Sequence, residues 1–308
     1  MIRLAVRVPR EQAEVVLAEL LDLAPAGVEE LAVDGGRIEY AVYGPPGELP
    51  ALPDLRALAG GATVEISTSE IADDWQERWR EFHKPVLIEA PQTAVGAQLR
   101  ALPAIRVRPP WEPAAGAEAD AIELVIDPGQ AFGTGGHAST RLCLALLLEL
   151  ADADGTELAV LDVGTGSGVL AIAAGRLGFA PLLGLDNEAE SVEAAAVNAT
   201  ANDVELQSER FDLRDEPLPW LGGAPRNASE APARGTLLIA NLLRPLLLEL
   251  CETIERPPAG LIAGGLLIAE LDEVARAYAG RHGLLERRRR TEGDWGALWL
   301  APPPGLAA

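Results

Sequence analysis

Lysine is almost absent from this 308-residue chain: Lys84 is the only one, and arginine carries nearly all of the positive charge. The 25 Lys and Arg residues stand against 47 Asp and Glu residues, which gives a formal net charge of −22. Proteins that bind nucleic acid or an anionic membrane through charge present a basic surface. The composition therefore argues against both kinds of partner. A GC-rich genome and a saline habitat would each explain it.

Cysteine is also scarce, with Cys143 and Cys251 far apart in apolar segments, so we expect buried free thiols. The chain has no CxxC pair and no histidine spacing typical of a metal site, so no metal is predicted. No apolar run reaches membrane-spanning length, and the start Met1-Ile2-Arg3-Leu4 lacks a secretory signal. We therefore expect a cytoplasmic protein that does not enter a membrane.

Glycine, by contrast, is concentrated at a few points, of which the segment 160–174 (VLDVGTGSGVLAIAA) is the most informative. An apolar run with an acid, then Gly164, Gly166 and Gly168, then an Ala/Leu/Ile stretch predict a strand, a tight turn and a helix start. Glycine lets a ligand approach the backbone because it has no Cβ, and it tolerates positive φ. A glycine-rich turn without a ligand is the alternative.

The spacing of these glycines distinguishes two cofactor classes. A dinucleotide fingerprint is G-x-G-x-x-G, and its third glycine would stand where this chain has Val169. The chain instead has G-x-G-x-G, followed by Asp186 at the end of a second apolar run. An acid there can accept hydrogen bonds from both ribose hydroxyls of a nucleoside. The pattern looks like the S-adenosylmethionine site of class I methyltransferases. Asp186 could also cap the next helix.

A second glycine-rich segment, 127–140 (DPGQAFGTGGHAST), leads from a predicted strand into a predicted helix. Its glycines around Thr134 imply either close backbone approach or a mobile loop. Ser139 and Thr140 are candidates to cap the helix. A flexible linker is the alternative, although linkers seldom carry Asp-Pro, Phe and His among their glycines.

Asn241 follows a third apolar strand, 237–240, and precedes another predicted helix. This strand end is where we expect the transferred methyl group. The amide carbonyl can accept a hydrogen bond from an attacking amine and aim the nitrogen lone pair at a sulfonium methyl. A helix cap is the alternative role for Asn241.

The order of the predicted elements indicates two domains. Residues 1–71 show the order βαββαβ of a ferredoxin-like α+β domain. Residues 72–112 are expected to be a linker with a helix that bears two tryptophans. From 113 to 308, strands alternate with helices, which predicts an α/β domain with a parallel sheet and helices on both faces. The predicted strands of this sheet are 122–126, 158–163, 181–185, 237–240 and 261–267, and 215–235 is expected to be a surface insertion.

Together, these motifs resemble those of the ribosomal protein L11 methyltransferase family. The family's D-P-G-x-A-F-G-T-G-x-H-x-T-T loop is matched by 127–140, with Gly136, Ala138 and Ser139 as variants. Its N-I-L-A-x-P-L stretch is similar to 241–246, although Arg244-Pro245 shortens the spacing by one residue. Segment 73–85 is similar to the family's D-W…W…F-x-P linker.

The resemblance implies a Rossmann-like class I methyltransferase domain with a mostly parallel seven-stranded sheet and S-adenosylmethionine as its cofactor. It also implies that the N-terminal domain grips ribosomal protein L11 and presents lysine side chains and the N-terminal amine. The departures at Gly136 and Arg244 concern the substrate side more than cofactor binding. Asn241 is the expected catalytic residue, and the expected cofactor contacts are Phe132, Thr134, Thr140, Gly164, Gly166, Gly168, Asp186 and Asn241.

The expected reaction is transfer of a methyl group from a sulfonium to a neutral amine, to which the protein contributes positioning and desolvation. A lysine ammonium, with a pKa near ~10.4, must first lose a proton. Burial favours that loss. The sequence demands no dedicated base; His137 is a candidate, with a structural role as its alternative, and His83 and His282 have weaker claims.

Three other functions fit part of the pattern. A methyltransferase of the same fold could act on a lysine of a different protein. An NAD-dependent dehydrogenase would share the strand-turn-helix motif, but Val169 replaces its third glycine. A ribosome-binding module without turnover would keep the fold, but the intact glycines and Asp186 argue against it.

Overall fold

A computed structural model of the chain divides into two compact units, Met1–Phe82 and His83–Ala308. The division lies inside the segment 72–112 that the sequence predicts as a linker. Its described parts, 83–89 and 103–112, belong to the second unit, and the predicted helix with two tryptophans lies outside the described residues. The structure describes residues 2–9, 13, 16, 17, 20, 28–33, 37–44, 65–70, 83–89, 103–114, 121–128, 133, 135–219 and 235–303.

The first unit contains a four-stranded sheet in the order β2-β3-β1-β4, with every pair antiparallel. This order, and the helical residues described between the first two strands, agree with the predicted ferredoxin-like domain. The second predicted helix, 52–59, lies outside the described residues. The strands are β1 (Ile2–Pro9), β2 (Glu29–Val33), β3 (Arg37–Gly44) and β4 (Glu65–Glu70).

Alternate apolar side chains of β1 enter one core, as the period of two in its sequence predicts. Leu4, Val6 and Val8 form a core with Tyr40 and Val42 of β3, and helical residues between β1 and β2 cover it. The two arginines of β1, Arg3 and Arg7, form ion pairs with Glu39 of β3.

The second unit is built on a seven-stranded sheet in the order β10-β9-β8-β11-β12-β14-β13. Strand β14 is antiparallel to both neighbours, and the other pairs are parallel. The prediction of a mostly parallel, Rossmann-like class I methyltransferase sheet is thus confirmed. Its strands are β8 (Ala159–Val163), β9 (Leu182–Asp186), β10 (Leu206–Arg210), β11 (Thr236–Asn241), β12 (Gly260–Leu267), β13 (Leu285–Glu292) and β14 (Trp295–Ala301).

Helices cover both faces of this sheet, which is why its central strands are continuous apolar runs. Val160 of β8 packs on the face of the first two helices, and the next residue, Leu161, packs on the opposite face. Each face therefore has its own apolar core. The helices are α1 (Ala138–Asp154), α2 (Val169–Leu177), α3 (Ala189–Ala201), α4 (Arg244–Thr253) and α5 (Leu271–His282).

The prediction that strand 122–126 belongs to the large sheet is wrong. The observed strand β7 (Ala121–Val125) pairs with β6 (Ala104–Arg108), which pairs with β5 (Val86–Ile88) in a separate three-stranded sheet. Glu123 of β7 accepts hydrogen bonds from two arginines of β6, and such cross-strand pairs favour this partner. Alternation of strands and helices along a sequence does not specify which strands pair.

Both cysteines, Cys143 and Cys251, are buried and free, as predicted. Burial raises the pKa of both thiols, that of Cys251 to about 11. Among the described helices, none combines the length and the apolar character that a membrane span needs. In the same part of the chain, no group of three or more His, Cys, Asp or Glu side chains is arranged to hold a metal ion.

Candidate cofactor and active site

The turn after β8 has the shape that its glycines predict. Gly164, Gly166 and Gly168 all have positive φ, at 75°, 52° and 80°, and Gly168 caps the N-terminus of α2. Residues other than glycine adopt these backbone angles only with strain. A Cβ on Gly168 would also lie 3.1 Å from the Cα of Ala195, which brings α3 close to the turn. A Cβ on Gly164 would overlap with the side chain of Leu242, so packing as well as backbone angle requires glycine at these positions.

Asp186, the last residue of β9, lies against this turn. Gly166 N–H donates to Asp186 Oδ2 at 2.9 Å, and Glu188 N–H donates to Oδ1 at 3.1 Å. Burial raises the pKa of Asp186, and these N–H donors oppose the shift. Each carboxylate oxygen has two lone pairs, so each can accept a further hydrogen bond. The bond to Glu188, the N-cap of α3, shows that Asp186 supports the helix start as well.

Asn241, the last residue of β11, is brought together with Thr140 in the first turn of α1. Asn241 Nδ2 lies 3.4 Å from Thr140 Oγ1, and Thr140 is fully buried. Asn241 Oδ1 is buried and has no hydrogen-bond partner among the described residues. Helix α4 has Leu243 at its N-cap position, so the alternative in which Asn241 caps that helix is wrong.

These features meet at the carboxyl-terminal ends of three strands, because β9, β8 and β11 are adjacent and parallel. The N–H groups of Gly164 and Thr165 both donate to Leu185 O, at 2.8 and 2.9 Å, and fix the turn to the end of β9. Ligands of open α/β sheets bind in the crevice at the carboxyl ends of the strands. The turn, Asp186 and Asn241 therefore form one candidate site.

Asp162 is a buried acid beneath the turn. It is fully buried within β8, and its Oδ2 accepts a hydrogen bond from Thr165 Oγ1 at 2.8 Å. Burial raises the pKa of Asp162 to about 7. A Cβ on Gly184 of β9 would lie 2.9 Å from Thr165 Oγ1, so that glycine leaves room for the bond.

His137 is the N-cap of α1. Its Nδ1 accepts a hydrogen bond from Ser139 N–H at 3.3 Å, and its ring meets Trp295 edge-on, with centroids 4.6 Å apart. Ser139 and Thr140 therefore do not cap this helix, because both already lie within its first turn, which begins at Ala138. Burial lowers the pKa of His137. The ring is engaged in structural contacts on both sides.

The other two histidines also make contacts away from the turn. His282 Nε2 lies 2.8 Å from Cys251 O, where it joins α5 to α4. His83 meets Trp111 edge-on, with ring centroids 6.5 Å apart. Both contacts are structural.

Comparison with known proteins decides the family. The family model of ribosomal protein L11 methyltransferase (PrmA) matches residues 54–301, which is more than half of the chain. The chain belongs to the ribosomal protein L11 methyltransferase family. The resemblance carried by the motifs is thereby confirmed.

Individual relatives agree with the family model. A ribosomal protein L11 methyltransferase of Syntrophotalea carbinolica is 34% identical over 320 residues, and the alignment covers 94% of each chain. One of Geotalea uraniireducens is 34% identical over 238 residues, which cover 73% of this chain and 67% of the relative. The crystal structure of a ribosomal protein L11 methylase of Lactobacillus delbrueckii subsp. bulgaricus is similar at a TM-score of 0.53 and 28% identity, covering 64% of this chain and 94% of that one.

The departure from the family pattern at Arg244 has a structural counterpart. Arg244 is the first residue of α4, and it forms ion pairs with Glu270 at 3.1 Å and Glu273 at 2.8 Å. These contacts, chiefly the hydrogen bond to Glu273, raise the pKa of Arg244. A cation at a helix N-terminus opposes the helix dipole, and the two carboxylates offset that cost. Arg244 thus ties α4 to the start of α5.

The second glycine-rich segment is described only in part. Phe132 and Thr134, two of the predicted cofactor contacts, lie outside the described residues, so their role stays a prediction. The described parts lie beside the turn: Gly133 O accepts a hydrogen bond from Ser167 Oγ at 2.6 Å. Sequence reasoning missed this contact, as well as the roles of Asp162 and of Asn198 on α3.

Proposed function

We propose that this chain transfers methyl groups from S-adenosylmethionine to amino groups of ribosomal protein L11, namely lysine side chains and the N-terminal amine. One observation carries the proposal. The buried, unpartnered Oδ1 of Asn241 stands at the same end of the sheet as the glycine turn and Asp186. Family membership gives the substrate class. The cytoplasm, where ribosomal proteins are made, is the proposed location.

The residues present fit S-adenosylmethionine. Asp186 would hold the ribose hydroxyls with its remaining lone pairs, and the turn from Gly164 to Gly168 would lie along the ligand. Thr140 and Asn241 would bound the site on the other side of β8. The cofactor supplies an electrophilic methyl group on its sulfonium when bound.

Asn241 would orient the substrate amine. Its unpartnered Oδ1 accepts a hydrogen bond from an amine N–H, which turns the nitrogen lone pair in a defined direction. The contact between Nδ2 and Thr140 Oγ1 keeps the amide from rotating. The Asn241 side chain is neutral, so it accommodates the neutral amine that forms when the ammonium loses its proton.

Proton removal needs no dedicated side chain in this proposal. A lysine ammonium, with a pKa near ~10.4, loses its proton more readily as it leaves water. His137 Nδ1 is already engaged as a helix cap. Leu243 and Ile268, both exposed, follow the ends of β11 and β12 and would contact the aliphatic part of a lysine. Desolvation by such residues favours the neutral amine.

The proposed division of labour assigns substrate recognition to the first unit. We propose that the ferredoxin-like domain, predicted at residues 1–71, holds L11, while the methyltransferase domain, predicted at 113–308, carries the chemistry. The motifs of the cofactor site all lie in the second unit. The proposed protein partner is ribosomal protein L11, without direct contact to nucleic acid.

Two measurements on the purified full chain test this function. Calorimetric titration with S-adenosylmethionine should show saturable binding, and titration with NAD should show none. Labelled methyl groups should then pass to purified L11 faster than to the other proteins of a cell lysate. Binding of NAD alone would indicate a dehydrogenase, and preferential labelling of another lysate protein would contradict L11 as the substrate.

A further inference from the structure

Two buried asparagines lie one turn apart at the C-terminal end of helix α3: Asn198 in its last turn and Asn202 at its C-cap. Asn202 pairs with the last residue of β7: its Oδ1 accepts from Val125 N–H at 2.8 Å, and its Nδ2 donates to Val125 O at 2.7 Å. Its Nδ2 also donates to Asn198 O at 2.7 Å. Asn202 therefore fixes the end of β7 to α3 and, among the described residues, makes no hydrogen bond to the glycine turn.

Asn198 makes a matching set of contacts, with one difference. Its Oδ1 accepts from Asp127 N–H at 2.9 Å, and its Nδ2 lies 3.5 Å from Asp127 O. The same Nδ2 donates to Ser167 O at 2.9 Å, within the glycine turn. Asn198 thus joins the second glycine-rich segment, which begins at Asp127, to the turn after β8.

Ser167 adds another connection between the same two segments. Its side chain is fully buried, and its Oγ donates to Gly133 O at 2.6 Å. A Cβ on Gly133 would lie 3.2 Å from this Oγ, so the two chains approach closely here. Two points of the second segment, Asp127 and Gly133, are therefore bonded to the turn through Asn198 and Ser167.

We propose that Asn198 and Ser167 are positioning residues that hold Asp127 and Gly133 of the second glycine-rich segment against the glycine turn before the cofactor binds. This inference rests on the proposed function, since it assumes that both segments contribute to the S-adenosylmethionine site. A preformed site binds more tightly than one that must be ordered by its ligand. Asn198 therefore affects cofactor affinity, whereas Asn202, with similar bonds, affects only stability.

The full-length variants Asn198→Ala and Asn202→Ala test this directly, because each removes a buried amide from the C-terminal end of α3. We expect both to lower the melting temperature by similar amounts in the absence of ligand. Asn198→Ala should raise the Kd for S-adenosylmethionine, measured by calorimetry, about tenfold or more, the equivalent of one lost hydrogen bond. Asn202→Ala should change that Kd less than about twofold.

Ser167→Ala is the second test, and it decides the matter if Asn198→Ala fails to fold. It removes only the hydroxyl that bonds to Gly133, and we expect a higher Kd with little loss of stability. An unchanged Kd in folded Ser167→Ala, or equal rises in Kd for the two asparagine variants, would overturn the proposal. Asn198 and Ser167 would then only stabilise the fold. Wild-type protein that binds no S-adenosylmethionine would instead refute the proposed function.

Discussion

Gly264 of β12 lies directly opposite Asn241 of β11, and its lack of a side chain is what gives the Asn241 carboxamide its place. A Cβ on Gly264 would lie 2.8 Å from Asn241 Oδ1 and would overlap with the sulfur of Cys143 on α1. Gly260, four residues earlier in the same strand, has no such constraint: a Cβ there would meet Leu237 at 3.4 Å, an ordinary contact.

Gly264→Ala should therefore displace the Asn241 carboxamide and lower kcat. A misplacement of about 1 Å at a reacting group costs up to ~100-fold in rate, so we expect a loss of about 10- to 100-fold. The double variant Cys143→Ala/Gly264→Ala removes the overlap with sulfur and isolates the effect on Asn241. Gly260→Ala is the control, and a kcat for folded Gly264→Ala equal to that of the control would show that Asn241 does not position the substrate.

Asp186→Ala should weaken cofactor binding in a folded protein. Two charge-assisted hydrogen bonds to ribose hydroxyls are lost, which should cost roughly 1.5–3 kcal/mol, or about 10- to 150-fold in Kd. Calorimetry with S-adenosylmethionine measures the change. Glu190→Ala, at an exposed acid in the first turn of α3, is the matched control. If the Kd of Asp186→Ala lies within twofold of this control, Asp186 does not bind the cofactor and only supports the start of α3.

Asp162 should make stability fall as pH rises. Its pKa is about 7 in the folded chain and 3.8 in the unfolded chain, so between these values the folded state binds the extra proton. The stabilisation is complete below about pH 4 and is lost as pH rises through 7. From about pH 5 to about pH 8, wild type should lose roughly 2–3 kcal/mol relative to Asp162→Asn, measured by denaturant unfolding. Parallel pH profiles for the two proteins would mean that Asp162 is ionised throughout.

A fragment of residues 83–308 should bind S-adenosylmethionine about as tightly as the full chain, but should not methylate intact L11. The second unit holds every described residue of the candidate cofactor site. A fragment that begins at 109 lacks β5 and β6, which leaves β7 without its partner, so its melting temperature should be lower. If fragment 83–308 methylates L11 as fast as the full chain does, the first unit does not recognise the substrate.

The parts of the fold that the sequence predicts are those set by local chemistry. The turn from Gly164 to Gly168 needs positive φ at its glycines, and an apolar run on each side identifies its strand and helix. Asp186 and Asn241 stand at the ends of buried strands, and the parallel topology then brings them to one edge. Each of these features is recognised from residues next to it in the chain, whereas their assembly follows from the topology.

The parts that were not predicted depend on contacts between distant residues. Edge strands β10 and β13 read LQSER and LERRRRTE, without an apolar alternation that would mark them as strands. The arginines of β13 instead pair with distant acids, as Arg290 does with buried Glu149. Likewise, nothing near Asn198 in the sequence points to Asp127 or Ser167, and only the fold brings them together.

Mass spectrometry of purified ribosomal protein L11, incubated with the full chain and S-adenosylmethionine, tests the proposed methyl transfer most directly. We expect mass increases that correspond to added methyl groups on lysine side chains and on the N-terminal amine. The rate should be about 100-fold lower with Asn241→Ala, which removes the amide that orients the amine. Incubation without S-adenosylmethionine should leave L11 unmodified. Unmodified L11 after incubation with a folded enzyme that binds the cofactor would contradict the proposed function.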